Sequence, residues 1–142
     1  ALMKEATEKR RREIREERLR TAKPYSGAAS AFPERLKAES DWRAILRFHE
    51  YLAVAQKGKT RAIQCVRCGH LFCAPKDNYK RYALRRVRDL SDLAGRLVPS
   101  KEPYVGGYHE YYCPTCLTLL QVDTFCSLLP EHDEPLQDFY WQ

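Results

Sequence analysis

The chain is poor in several things at once. It has one methionine, two tryptophans and six glycines in 142 residues, and no window approaches the ~18 consecutive apolar residues of a membrane span. No GxxxxGKS phosphate loop and no GxGxxG fingerprint occurs, so nucleotide chemistry by these two devices is not expected of this chain. The histidines His49, His109 and His132 have no serine, cysteine or carboxylate partner at motif spacing, which leaves a catalytic triad without support. The paired glycines, Gly106 and Gly107, read as part of a turn. The first residues are charged rather than apolar and small, unlike a secretory signal. A soluble, cytoplasmic protein is therefore expected, of one compact domain or a small domain with an extension.

What charge there is, is unevenly placed. Residues 1–23 hold nine Lys or Arg against five Glu, whereas Asp123, Glu131, Asp133, Glu134 and Asp138 make the last stretch acidic within a net charge of +6. A basic body fits a nucleic-acid binder or a subunit that docks on an acidic partner, and sign alone does not choose. KEATEKRRREIREERLR, Lys4 to Arg20, is rich in helix formers and carries Glu5/Lys9, Glu8/Arg12 and Glu16/Arg20 at i,i+4. It is expected to form a charged helical arm over 1–23, with too few apolar residues for a core-facing stripe, so that it is either solvated or docked on another chain.

Pro24 and SGAASA then read as a linker opening a second region, 24–60. A helix is expected from Pro33 to Gln56, where Leu36, Trp42, Ile45, Leu46, Tyr51, Leu52 and Val54 recur near helical spacing, with Ser40 and Asp41 as an interruption. TRAIQC reads as a strand, Tyr82 to Arg88 as a short extended piece, and Ser91 to Val98 as a helix stopped by Pro99. PSKEPYVGG is a loop; YHEYYC and LTLLQVDTF are the two strands of a hairpin.

Six cysteines are modest usage, and four form two CxxC pairs: Cys65 with Cys68, and Cys113 with Cys116. Each pair brings two thiolates out of one tight turn, half of a tetrahedral site. Zinc is the first expectation; iron uses the same ligands, and disulfides or a thioredoxin-like pair are the weaker alternatives. Gly69 follows the first pair, where such a turn calls for positive φ, but Leu117 stands at the matching place after the second. The long separation of the knuckles requires an insertion between them. The fold class expected is α+β, a small zinc-ribbon-like β module over 61–142 with that insertion, preceded by N-terminal helices. Four thiolates saturate zinc and leave no open position, so such a site is structural. His70 reads as a polar side chain on the knuckle, with ligation or a hydrogen bond to a thiolate as alternatives. Cys73 reads as a buried small apolar residue, and Cys126 as core or interface.

The blocks CVRCGHLFCAPKDNYK, VRDL, EYYCPTC and TLLQVD, in that order, resemble the gamma subunit of acetone carboxylase and the related small subunit of acetophenone carboxylase. The resemblance runs from about Arg61 to the C-terminus; Leu117 departs from the glycine expected after the second knuckle. It implies a biotin-independent, ATP-dependent ketone carboxylase in which bicarbonate is phosphorylated and the ketone is activated towards its enolate. Larger subunits, similar to hydantoinase and oxoprolinase proteins, would carry ATP, other metals and the catalytic residues. This chain would contribute a zinc-bound module. The runner-up is a zinc-ribbon nucleic-acid binder using Arg10 to Arg12 and the Lys80 to Arg88 cluster. The third reading is a thiol enzyme acting through Cys73.

Overall fold

The structure, a computed structural model, describes residues 1–24, 41–90 and 105–141. The chain opens with α1, Leu2–Thr21, where its helix formers and staggered charges placed a helix. α1 has no buried residue; only Ile14 and Arg18 are half-buried. Arg18 fixes its C-terminal end to the body, with Nη1 donating to the Leu117 carbonyl at 3.0 Å and the guanidinium lying 4.8 Å over the Tyr112 ring. Among the described residues it is the one long helix. No helix among them is long and apolar enough to cross a membrane.

Two antiparallel sheets follow. One has the order β2-β3-β4, from Arg43–Arg47, Leu52–Lys57 and Thr60–Cys65. The other has the order β1-β5-β6-β7, from Lys23–Pro24, Leu84–Asp89, Gly106–Tyr112 and Leu119–Cys126. The architecture is thus α+β, a helix with antiparallel sheets. Leu52, Ile63, Phe72, Tyr79, Tyr111 and Leu120 form the core between them, each almost fully removed from water.

The helix expected from Pro33 to Gln56 is corrected over its described part. Arg43–Arg47 and Leu52–Lys57 are paired strands instead. The turn between them is closed locally: His49 N–H donates to the Leu52 carbonyl at 3.3 Å, Tyr51 N–H to His49 Nδ1 at 3.1 Å, and the Arg47 guanidinium to the His49 and Glu50 carbonyls. Leu52 to Ala55 is buried on both faces, and a short apolar run of that kind carries no period to separate strand from helix. Gly58, at φ +60°, turns β3 into β4.

TRAIQC, Tyr82 to Arg88, YHEYYC and LTLLQVDTF lie in or against β4, β5, β6 and β7. The helix expected over Ser91 to Val98 and the linker SGAASA lie outside the described residues. Gly106 and Gly107 are strand residues rather than a turn. They are needed there because a Cβ at Gly106 would collide with the Phe125 carbonyl, and one at Gly107 with that of Arg88, each on a neighbouring strand.

Candidate metal centre

β4 ends at Cys65 and β6 ends just before Cys113, so each sheet delivers one CxxC turn to the same place. The two turns close in the same way. Gly69 N–H donates to the Cys65 carbonyl and Leu117 N–H to the Cys113 carbonyl, both at 2.9 Å. Cys65 N–H donates to His70 O at 2.8 Å, and Cys113 N–H to Thr118 O at 3.0 Å. Gly69 has φ +80° and Leu117 φ +58°. Leucine therefore occupies the left-handed conformation that the turn demands, at a cost of about 1–2 kcal/mol. Its side chain is 3% exposed, and that burial offsets the strain.

The four sulfurs of Cys65, Cys68, Cys113 and Cys116 all lie within 4.8 Å of one another and could hold a metal ion. Cys65 Sγ is 3.7 Å from Cys116 Sγ, and Cys68 Sγ is 3.5 Å from Cys113 Sγ. A tetrahedron with metal–sulfur bonds of ~2.3 Å has edges of about 3.8 Å. The donor set fits a tetrahedral metal, and no disulfide joins any of the six cysteines.

Electrostatics point the same way. Cys65 is drawn down to about 5, chiefly by hydrogen bonding from Cys113, whose own thiol that bond and burial push up. Burial lifts Cys68 to about 11. In the absence of a cation a second buried negative charge so close to the first is disfavoured. A divalent cation removes that penalty and releases the protons.

Polar side chains tie the two turns together around the sulfurs. His70 Nδ1 and Thr115 Oγ1 are hydrogen-bonded at 2.9 Å across the pair. Thr118 Oγ1 lies 3.1 Å from Cys116 Sγ and accepts from Arg67 Nη1 at 3.4 Å. His70 is thus next to the centre without joining the four-sulfur cluster. Thr115 and Thr118 have no motif of their own, and only their i+2 relation to Cys113 and Cys116 in CPTCLT hinted at such contacts. Cys73 is fully buried, and burial lifts its thiol to about 12; such a group is protonated and a poor nucleophile. Cys126 ends β7 half-buried, outside the cluster.

A second polar cluster went unread in the sequence. Lys80 is fully buried, its Nζ 2.8 Å from Asp123 and 3.2 Å from Asp138. Tyr79 donates its hydroxyl to Asp138 at 3.1 Å, and Asn78 Nδ2 donates to the Pro135 carbonyl at 2.9 Å. Arg81 pairs with Glu134 at 2.7 Å and Arg85 with Asp133 at 2.9 Å. Phe139 stacks on Phe48 with centroids 3.8 Å apart. The KDNYKR stretch therefore clasps the acidic tail. Four of the cations at Lys80 to Arg88 that were read as a nucleic-acid surface face carboxylates of the same chain, Arg86 with Glu110 at 2.9 Å being the fourth.

The family model described as acetone carboxylase gamma subunit matches residues 38–139. Acetone carboxylase gamma subunit of Xanthobacter autotrophicus (strain ATCC BAA-1158 / Py2) is 32% identical over 119 residues, which cover 77% of this chain and 70% of that protein. The matched range takes in both CxxC turns, the KDNYKR clasp and nearly all of the tail that it holds. On this evidence the chain belongs to the acetone carboxylase gamma subunit family.

Proposed function

We propose that the protein is a small, zinc-stabilised, non-catalytic subunit of an ATP-dependent, biotin-independent ketone carboxylase complex in the cytoplasm. Cys65, Cys68, Cys113 and Cys116 are its metal ligands. The observation that carries this reading is the set of four converging sulfurs in a member of the acetone carboxylase gamma subunit family. Bound there, zinc would supply a cross-link between the two sheets, since four protein thiolates leave it no position for water or substrate. The chain's own residues do the rest: His70 and Thr115 hold the turns in register, and Thr118 hydrogen-bonds a ligand sulfur. ATP, other metals and the ketone chemistry belong to larger subunits similar to hydantoinase and oxoprolinase proteins. The working division is an arm at 1–23, a segment at 24–60 and the metal-binding module at 61–142, with the β3–β4 ladder joining the last two.

Two measurements test this. Metal analysis of the purified chain should give one zinc per chain, and a stoichiometric iron content would remove zinc. Mixed with the larger acetone carboxylase subunits of the same organism, the chain should form a stable complex with ketone- and ATP-dependent carboxylation. A monodisperse monomer with no affinity for them would overturn the reading. The nucleic-acid reading has no such support, because the Lys80 to Arg86 cations are paired internally.

A further inference from the structure

The two CxxC turns share their backbone hydrogen bonds, and in each the second sulfur is the accessible one. Cys65 and Cys113 are fully buried, whereas Cys68 and Cys116 are half-buried. A reagent from solvent therefore meets the centre at the second cysteine of a turn. At Cys116 a side chain stands beside that sulfur. Thr118, only 7% exposed, has its Oγ1 3.1 Å from Cys116 Sγ and 3.4 Å from Arg67 Nη1. Arg67 belongs to the other turn, between Cys65 and Cys68. Its guanidinium lies 6.0 Å over the Tyr51 ring, and the neighbouring Val66 N–H donates to the Tyr51 carbonyl at 2.8 Å.

The donors and acceptors fix the direction of these contacts. A guanidinium has no acceptor, so Thr118 Oγ1 accepts from Arg67. A thiolate that ligates a metal has no proton, so it also accepts, and the one hydroxyl proton of Thr118 is directed at Cys116 Sγ. The series runs from a cation through a hydroxyl to an anionic sulfur, and each bond polarises the next. A hydrogen bond to a thiolate draws electron density from the lone pair that attacks an electrophile. We propose that Thr118, oriented by Arg67, is a positioning residue that guards the metal-bound Cys116 thiolate against electrophiles at the accessible side of the centre.

Closing the turn does not need that hydroxyl. The Thr118 carbonyl already accepts from Cys113 N–H at 3.0 Å, a bond that any side chain at this position allows. A hydroxyl aimed at the sulfur is what valine, its near-isostere, would lack.

This rests on the tetrathiolate reading above, and the test separates the two. The full chain and its Thr118→Val, Thr118→Ser and Arg67→Met variants are loaded with zinc, or with cobalt(II) as a spectroscopic probe, and treated with iodoacetamide, from which the sulfur displaces iodide. In Thr118→Val, alkylation at Cys116 should be at least about tenfold faster, with zinc released in step. The sulfur-to-cobalt charge-transfer band should move to longer wavelength. Arg67→Met should shift both readouts in the same direction by less, and Thr118→Ser should restore them. Valine behaving as the unmodified chain overturns the guard and leaves the metal site standing. Failure of serine to restore protection also overturns it, since shape rather than the hydroxyl then matters. Should Thr118→Val not fold, Arg67→Met, altered at an exposed residue, decides: unchanged alkylation and an unmoved band overturn the proposal. An unmodified chain that takes up neither zinc nor cobalt overturns the tetrathiolate reading, and the guard with it.

Discussion

The sulfur centre and the ionic clasp do the same mechanical job by opposite means. The centre joins a turn from β4 to a turn after β6 through four soft donors that could share one ion. The clasp joins the tail to the KDNYKR stretch, to Asp123 on β7 and to Phe48 before β3, through charges and aromatic faces. The tail also reaches β4, where Arg61 lies 5.4 Å over the Trp141 ring. A tetrathiolate site contributes folding free energy as a unit and fails as a unit. An ionic clasp is graded: a buried pair matters greatly to its partners, whereas an exposed one contributes little. The difference teaches where this small domain places its certainty. One tie would take an ion from outside the chain, and the other uses residues the chain carries itself.

Breaking the first tie should have the largest effect. Cys113→Ser is expected to abolish metal binding and the cooperative thermal transition, since structural zinc contributes on the order of 10 kcal/mol in small modules; calorimetry with and without chelator checks it. Cys73→Ser, outside the cluster, should keep the metal. If chelation leaves the wild-type transition unmoved, the sulfur centre is not a tie at all. On the clasp side, Lys80→Met removes the buried partner of the half-buried Asp123 carboxylate and should destabilise by about 3 kcal/mol. Arg81→Ala, whose pair with Glu134 is half exposed or more at both ends, should cost under about 0.5 kcal/mol. Equal effects of the two in denaturant titrations would mean that burial does not grade the clasp.

The two turns of the centre differ in a way that can be sharpened further. Leu117→Ala removes the buried side chain and keeps the left-handed strain, for a loss of about 2–3 kcal/mol. Leu117→Gly removes both, and should be the milder change by about 1 kcal/mol. That ranking reverses the usual preference for alanine over glycine, and equal melting temperatures for the two variants would sink it.

The smallest effect concerns His109, on β6 between the two ties. It is buried, stacks on Phe125 at 4.3 Å, and its pKa is lowered first by burial and then by Arg85; Asp123 and Asp133 act in the opposite direction. A lowered folded pKa gives stability that is complete above the unfolded value of about 6.5 and is lost as pH falls through the folded one. Melting temperatures of the metal-loaded protein should therefore drop on acidification from neutral pH. His109→Phe should flatten that drop, and an identical slope for both proteins would remove His109 as its source.

Much of this was legible along the chain. The charged arm, four strands and the two CxxC pairs announce themselves because each is a local pattern: helix formers with i,i+4 charges, alternating or β-rich runs, and thiols at one-turn spacing. The stretch from Arg43 to Gln56 was not legible as strands, since LAVA is buried on both faces and the turn that separates β2 from β3 is held by His49 and Arg47 rather than by glycine or proline. Lys80 read as surface for a similar reason. Its partners lie 43 and 58 positions away, and nothing in KDNYKR reveals that an acidic tail returns to it.

The sequence by itself determined the two CxxC pairs, the helical arm and the sign of each region's charge, because these depend only on residue type and near-neighbour spacing. Tertiary structure alone decided that two turns with the same hydrogen bonds meet, that Leu117 takes a glycine's conformation, and that Lys80 of the basic stretch is buried against carboxylates. Those depend on which distant backbone and carboxylates the sheets bring within a few ångströms, and contact energies act only at that range.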